Sequence, residues 1–137
     1  FFLSQAAARV MQAQGSGRII AIAGDSWFEA WPNHVAHGVS KSGLVRLMQY
    51  LAVTLSPSVQ CNVICPAKIM PTDDASNAQL SSGRGQGTFE GLLELAPDVH
   101  LRRGGAEEVA ELIIHLAHCT PYLSGAVIPL DGGKSVF

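Results

Sequence analysis

A short, nearly continuous apolar run, "RIIAIAG" at residues 18–24, constrains this chain more than any other feature of its sequence. It is too short for a buried helix, it does not alternate, and it ends in glycine. Those are the marks of a strand covered on both faces of a parallel sheet. A second strand, "VQCNVIC" at 59–65, follows after a helical pattern over 34–55, in which Val35, Val39, Leu44, Leu47, Met48, Leu51 and Leu55 are apolar. A strand, a helix and a strand in that order pair in parallel through a crossover, which sets the class as α/β.

The flanks repeat the alternation. Residues 1–14 read as a helix rich in Ala and Gln, closed by "GSG" at 15–17. The chain opens with no methionine and no N-cap residue, as a sequence entered in mid-helix would. "AEEVAELIIHLAH" at 106–118 is an amphipathic helix whose stripe is Val109, Leu112, Ile113, Leu116 and Ala117, with Glu107 and Glu108 favouring its N-terminus. "SGAVIPLDGG" at 124–133 is a third strand and a Gly turn, and "TFEGLLEL" at 88–95 reads as a short helix inside the irregular stretch 75–104. The architecture expected is the C-terminal half of a doubly wound parallel sheet: three strands with flanking helices, in one partial domain over 1–137. Its first strand would present an unpaired edge, and such edges seek partners.

Composition excludes several function classes. Nine Lys and Arg are scattered among eleven Asp and Glu, for a formal charge of −2, so no electrostatic footprint for nucleic acid or an anionic membrane exists. No apolar run approaches the ~18 residues of a transmembrane span. Cys61, Cys65 and Cys119 are an odd number without metal-ligand spacing and read as buried, reduced thiols of a cytoplasmic protein. The five histidines form no ligand cluster; His115 and His118 belong to the last turn of a helix, facing solvent or the helix dipole.

Four segments together resemble a known family, the short-chain dehydrogenase/reductases. "GSGRIIAIAG" is similar to that family's fifth strand, "SKSGLVRLMQYLAVTLSP" to its catalytic helix, and "VQCNVICPA" to its sixth strand and exit loop. "GGAEEVAELIIHLAHCTPYLSGAVIPLDGG" is similar to its last helix and strand. The resemblance covers nearly the whole chain and implies a Rossmann-like fold, NADP or NAD as cofactor, and hydride transfer to or from a carbonyl or imine carbon. "WPNHVAHGVSKSGL", "LSPSVQCNVICPA" and "IMPTDD" further resemble the pteridine-reductase-like subgroup.

The resemblance also shows where the sequence departs. In the family a tyrosine relays the proton, and a lysine four residues later lowers its pKa and holds the cofactor ribose. A Ser or Asp lies thirteen residues before the tyrosine. Spacing of i, i+4 puts tyrosine and lysine on one helix face. Lys41 matches the lysine, but His37 occupies the tyrosine position and Gly24 the Ser/Asp position. Asp25 and Ser26, one and two residues on, are the groups a loop shift would bring in. A neighbouring lysine cation disfavours the imidazolium that carbonyl reduction would need of His37. The candidate catalytic residues are thus Lys41, His37 and Asp25, with His37 read as a packed or solvent-facing histidine and Lys41 as a remnant. The candidate cofactor-binding residues are Lys41, Pro66, Ile69 and Thr72, and no metal site is expected. No strand–Gly-rich turn–helix unit for a pyrophosphate occurs, so full binding of NADP or NAD by this chain alone is not expected.

Two readings follow. One is a reductase piece, and, as a separate possibility, Trp27, Phe28 and Trp31 form a ligand or partner surface that closes or plugs a pocket. The other is a non-catalytic, degenerate member serving as an oligomerisation or interaction module. The resemblance implies assembly into dimers and tetramers through the helices matching 1–14 and 34–55 and through the last helix and strand. A homo-oligomer, or a second chain covering the open sheet edge, is the expected partner.

Overall fold

The computed structural model describes residues 1–69 and 104–136. Helix α1 (Phe2–Gln14) ends on Gly15, whose φ of 80° is the left-handed C-cap that glycine supplies without a Cβ penalty. Strand β1 (Gly17–Ile22) leads to a 3₁₀ turn at Asp25–Trp27 and then to α2 (Val35–Thr54). Strand β2 (Val59–Pro66), helix α3 (Ala106–His118) and strand β3 (Val127–Leu130) follow, and a last 3₁₀ turn spans Lys134–Val136. The short helix expected at 88–95, and Thr72, lie outside the described residues.

The strands form one parallel sheet in the order β1-β2-β3, with Gly17 opposite Val59 and Val63 opposite Val127. The α/β expectation therefore holds. Side chains alternate across a strand, and β2 has a different partner on each face. Val59, Cys61, Val63 and Cys65 share a core with Ala8 of α1 and Val45, Met48 and Ala52 of α2. On β1 and β2 Arg18 reaches the other way, donating to Gln60 and, at 2.9 Å, to the Cys119 carbonyl just beyond α3. Gly17 stands where Met11 of α1 crosses: a Cβ there would come within 2.5 Å of the Met11 side chain.

Burial corrects one expectation. Every residue of β2 is buried, as a central strand requires, but β1 is only half-buried and Ile22 is 45% exposed. The apolar run at 18–24 describes a strand fit for a sheet interior, yet among the described residues β1 pairs on one edge only. In α3 the stripe Val109, Leu112, Ile113 and Leu116 faces inward, while Ala117 is exposed.

Asn62, 1% exposed, fastens the third strand. Its side-chain amide donates to the Leu123 carbonyl (2.9 Å) and accepts from the Ala126 N–H (3.0 Å). A polar residue in a buried strand is thereby fully engaged, and the chain entering β3 is held in register.

Candidate active site

All sequence-derived candidates among the described residues stand at one end of the sheet, at or just beyond the C-terminal ends of the strands. In open α/β sheets that end is where ligands bind. β1 stops at Ile22 and β2 at Pro66, and α2 runs back past both. Lys41, two turns into α2, is half-buried and its Nζ donates to the Ile22 carbonyl at 3.3 Å. Among the described residues it has no carboxylate partner. His37 lies one turn nearer the helix N-terminus on the same face.

Gly24 leaves a gap at this edge. A Cβ built there would lie 3.8 Å from Ser26 Oγ, 3.9 Å from the Pro66 carbonyl oxygen and 4.0 Å from His37 Nε2. Three polar atoms from the 3₁₀ turn, β2 and α2 thus border the position to which the resemblance assigns the family's serine or aspartate. The backbone does not need glycine here, since φ 166° and ψ 168° is extended. Ser26 is 8% exposed, and its hydroxyl has no hydrogen-bond partner among the described residues. An orphaned buried hydroxyl costs about 1–3 kcal/mol.

Asp25, also 8% exposed, is held elsewhere. Its carboxylate accepts from Lys134 Nζ at 2.9 Å, and the same ammonium reaches Glu29 at 2.6 Å and stands 5.1 Å from the centroid of the Trp31 ring. Lys134 follows the "DGG" turn, where Asp131 accepts from the N–H groups of Gly133 (3.0 Å) and Ser135 (2.8 Å). Burial opposes charge on Lys134, but its bonds to Glu29 and Asp25 win and raise its pKa. Burial likewise works to raise Glu29, and hydrogen bonds from Lys134 and Trp31 outweigh it, holding the carboxyl below its ordinary value.

The loop's aromatics continue the edge. Trp31 meets His34 edge-on at 5.6 Å, and His34 meets His37 at 6.4 Å. This chain of rings at i, i+3 spacing was readable in "WPNHVAH", whereas nothing local in the sequence pointed to Lys134. Beneath the site, burial pushes the Cys65 thiol up, with Asp25 adding to the effect and the Gly24 N–H and Lys41 opposing it.

The exit loop supplies the remaining candidates. The Pro66 carbonyl borders the gap, and Ile69 pairs with Gly104 in a short parallel bridge, its Cδ1 against Gly104. Ala67, Lys68, Gly104, Glu108, Leu130, Asp131 and Gly132 line a cleft of about 220 Å³ alongside. The described residues fit one end of a dinucleotide: Lys41 has its ammonium at the strand ends, and the exit loop offers backbone groups.

A three-stranded parallel sheet with flanking helices, its candidate side chains at the C-terminal strand ends, is a Rossmann-like α/β arrangement. The family follows from comparison. Residues 1–135 match the family described as enoyl-(acyl carrier protein) reductase, and the chain belongs to this group of short-chain dehydrogenases/reductases. It is 33% identical to the 3-oxoacyl-[acyl-carrier-protein] reductase MabA of Mycobacterium avium, over 99% of this chain and 51% of that protein. It is 28% identical to 7alpha-hydroxysteroid dehydrogenase of Bacteroides fragilis, over 98% of this chain and 50% of that one. A short-chain dehydrogenase/reductase from Mycobacterium ulcerans superposes with a TM-score of 0.79 at 29% identity, covering 98% of this chain and 47% of its own. A Beutenbergia cavernae protein described as an NAD(P)-dependent gluconate 5-dehydrogenase, solved with NADP, also gives 0.79, at 27% identity and 98% and 52% coverage. The chain spans about half the length of the curated relatives it matches. These relatives are other members of the family than the pteridine reductases.

Proposed function

We propose that this chain is the site-bearing half of an NAD(P)-dependent oxidoreductase acting on a carbonyl or alcohol carbon. The observation that carries the reading is the position of Lys41, with its ammonium against the last carbonyl of β1 and its helix presenting His37 to the gap over Gly24. When bound, the nicotinamide supplies the hydride. Lys41 would hold the ribose hydroxyls, and the backbone of Pro66 and Ile69 would meet the carboxamide, with Thr72 the further candidate from the sequence. A pteridine-like substrate is the narrower form of this proposal, carried by the resemblance of "IMPTDD" and "WPNHVAHGVSKSGL". A cytoplasmic location goes with it. The chemistry is impaired relative to the family because an imidazole replaces the phenol and no side chain stands at Gly24.

The test is titration of the protein with NADPH and NADH, following nicotinamide fluorescence, with Lys41→Ala and His37→Tyr alongside. Saturable binding lost in Lys41→Ala supports the reading, and His37→Tyr should then raise the rate on ketones or pteridines. No binding up to millimolar cofactor would sink it.

A second reading has its own observation. Phe2, Leu3 and Val10 on α1, and Val35, Val39, Tyr50 and Val53 on α2, are exposed, and β1 has an edge without a partner among the described residues. Apolar faces of this kind mark interaction surfaces. A non-catalytic module that assembles with copies of itself, or with a second chain along the β1 edge, accounts for them. Light scattering on the purified chain distinguishes the cases: a monomer at tens of micromolar removes the self-assembly reading.

A further inference from the structure

We infer that Trp31 is a positioning residue for the exit loop: its ring seats the Lys68 ammonium, and with Lys134 it ties the segments that leave the three strands into one unit. The inference rests on the oxidoreductase reading for what the loop meets, the cofactor carboxamide, but the coupling follows from this chain's own contacts. Trp31 acts through Lys68 and not on a substrate.

Trp31 is half-buried in a run, 30–37, whose other residues are all exposed. Its ring centroid stands 5.1 Å from Lys134 Nζ and 5.9 Å from Lys68 Nζ. Both lie within the ~6 Å over which a cation is drawn to an aromatic face, and the indole face is the strongest of these. Two ammonium groups beside one ring repel each other, and the carboxylates of Asp25 and Glu29 offset them. Lys134 pairs with both, at 2.9 and 2.6 Å. Glu29 also accepts a hydrogen bond from Trp31, whose side chain has a single donor, and it feels the charge of Lys68. The ring is thus held by its N–H and by one ammonium before Lys68 reaches it.

The members come from three places in the chain. Glu29 and Trp31 follow β1, Lys68 follows β2 and Lys134 follows β3. Lys68 lies between Pro66 and Ile69, the residues whose backbone the proposed function turns to the carboxamide. Its carbonyl accepts from the Gly104 N–H at 3.1 Å, and the Ala67 N–H donates to the Leu130 carbonyl, also at 3.1 Å. The backbone of the exit loop is therefore fastened from the β3 side and from the segment that enters α3. The Trp31 ring adds a hold on the Lys68 side chain from the β1 side. A loop that offers backbone groups to a ligand gains from such fixing, because order supplied in advance is not lost on binding.

The experiment is amide hydrogen exchange, read by NMR, on the 137-residue protein, Lys68→Met, Lys68→Arg, Trp31→Leu and the Trp31→Leu, Lys68→Met double variant. The reporter is the Gly104 N–H, which the Lys68 carbonyl protects. The control is the Ala23 N–H, bonded to the Ile64 carbonyl at 2.8 Å in the sheet. Lys68→Met should speed exchange at Gly104 about two- to fivefold, the worth of one cation–π contact, and leave Ala23 unchanged. Lys68→Arg keeps a cation over the ring and should exchange as wild type does. The double variant should be no faster than Trp31→Leu, because both changes remove the same contact. Unchanged exchange at Gly104 in Lys68→Met, an equal rise at Ala23, or additive effects in the double variant overturns the assignment. Cofactor titration is scored separately. NADPH bound by wild type should bind Trp31→Leu about two- to fivefold more weakly. Unchanged NADPH affinity beside faster Gly104 exchange would sink the positioning role and leave the oxidoreductase reading standing. Exchange as expected without any NADPH binding would sink that reading and leave the hold of Trp31 on the exit loop supported.

Discussion

Replacing Lys134 by methionine should cost about 2–4 kcal/mol of stability, and the structure says where the cost comes from. The Lys134 and Asp25 side chains are 13% and 12% exposed and 2.9 Å apart. Removing one partner of a buried ion pair costs about 3–5 kcal/mol, because the other charge stays buried without compensation. Glu29 adds little, since at 40% exposure it can turn to water. The low end of the range allows for the same escape by Asp25. Methionine keeps an apolar stem of similar length, so packing loss is small. The assay is urea unfolding of wild type, Lys134→Met, Asp25→Asn and the double variant at fixed m-value. The double variant should recover more than half of the single loss.

The pH dependence fixes the sign. Glu29 titrates below its ordinary 4.5 in the folded chain, so its contribution is present above 4.5 and lost as pH falls through the lowered value. Lys134 titrates above 10.5, so its contribution is full below 10.5 and lost as pH rises through the raised value. The gap between wild type and Lys134→Met should therefore be widest between those limits, narrowing slightly as Glu29 takes up its proton and closing as Lys134 loses its own. A gap under about 0.5 kcal/mol at pH 7, the size of an ordinary surface change, would refute the reasoning.

Other outcomes follow from the same geometry. Asn62→Leu should lose about 2–3 kcal/mol in chemical denaturation, because it strands the Leu123 carbonyl and Ala126 N–H. Cys61 is buried with its thiol pushed up to about 11, and Cys65 is buried and raised as well. Iodoacetamide at pH 8 should accordingly label half-buried Cys119 first, as peptide mass spectrometry of wild type and Cys119→Ser would read. Gly17→Val drives a side chain into Met11 and should lower stability by about 1–3 kcal/mol in the same urea assay.

Much of this was legible in the chain itself. The helix at 106–118 appears with the bounds its periodicity gave, and those at 1–14 and 34–55 shift by a residue, because a 3.6-residue apolar pattern is a local property. The parallel class followed from alternation, and the i, i+4 spacing alone put His37 and Lys41 on one helix face. Asp25 shows the limit. Its sequence position made it a candidate acid, but it is committed to Lys134, 109 residues away. No periodicity encodes that pairing; it exists because β1 and β3 flank β2 and bring their C-terminal ends to the same edge of the sheet. The half-burial of β1 is of the same kind, since a strand's composition says what faces could be covered and only its neighbours decide which are. Order, class and the lysine's helix face were thus properties of the sequence. The position of Gly24 beside Ser26, Pro66 and His37 and the Lys134 anchor came only with the tertiary fold, because each depends on atoms from elements that meet in space and not along the chain.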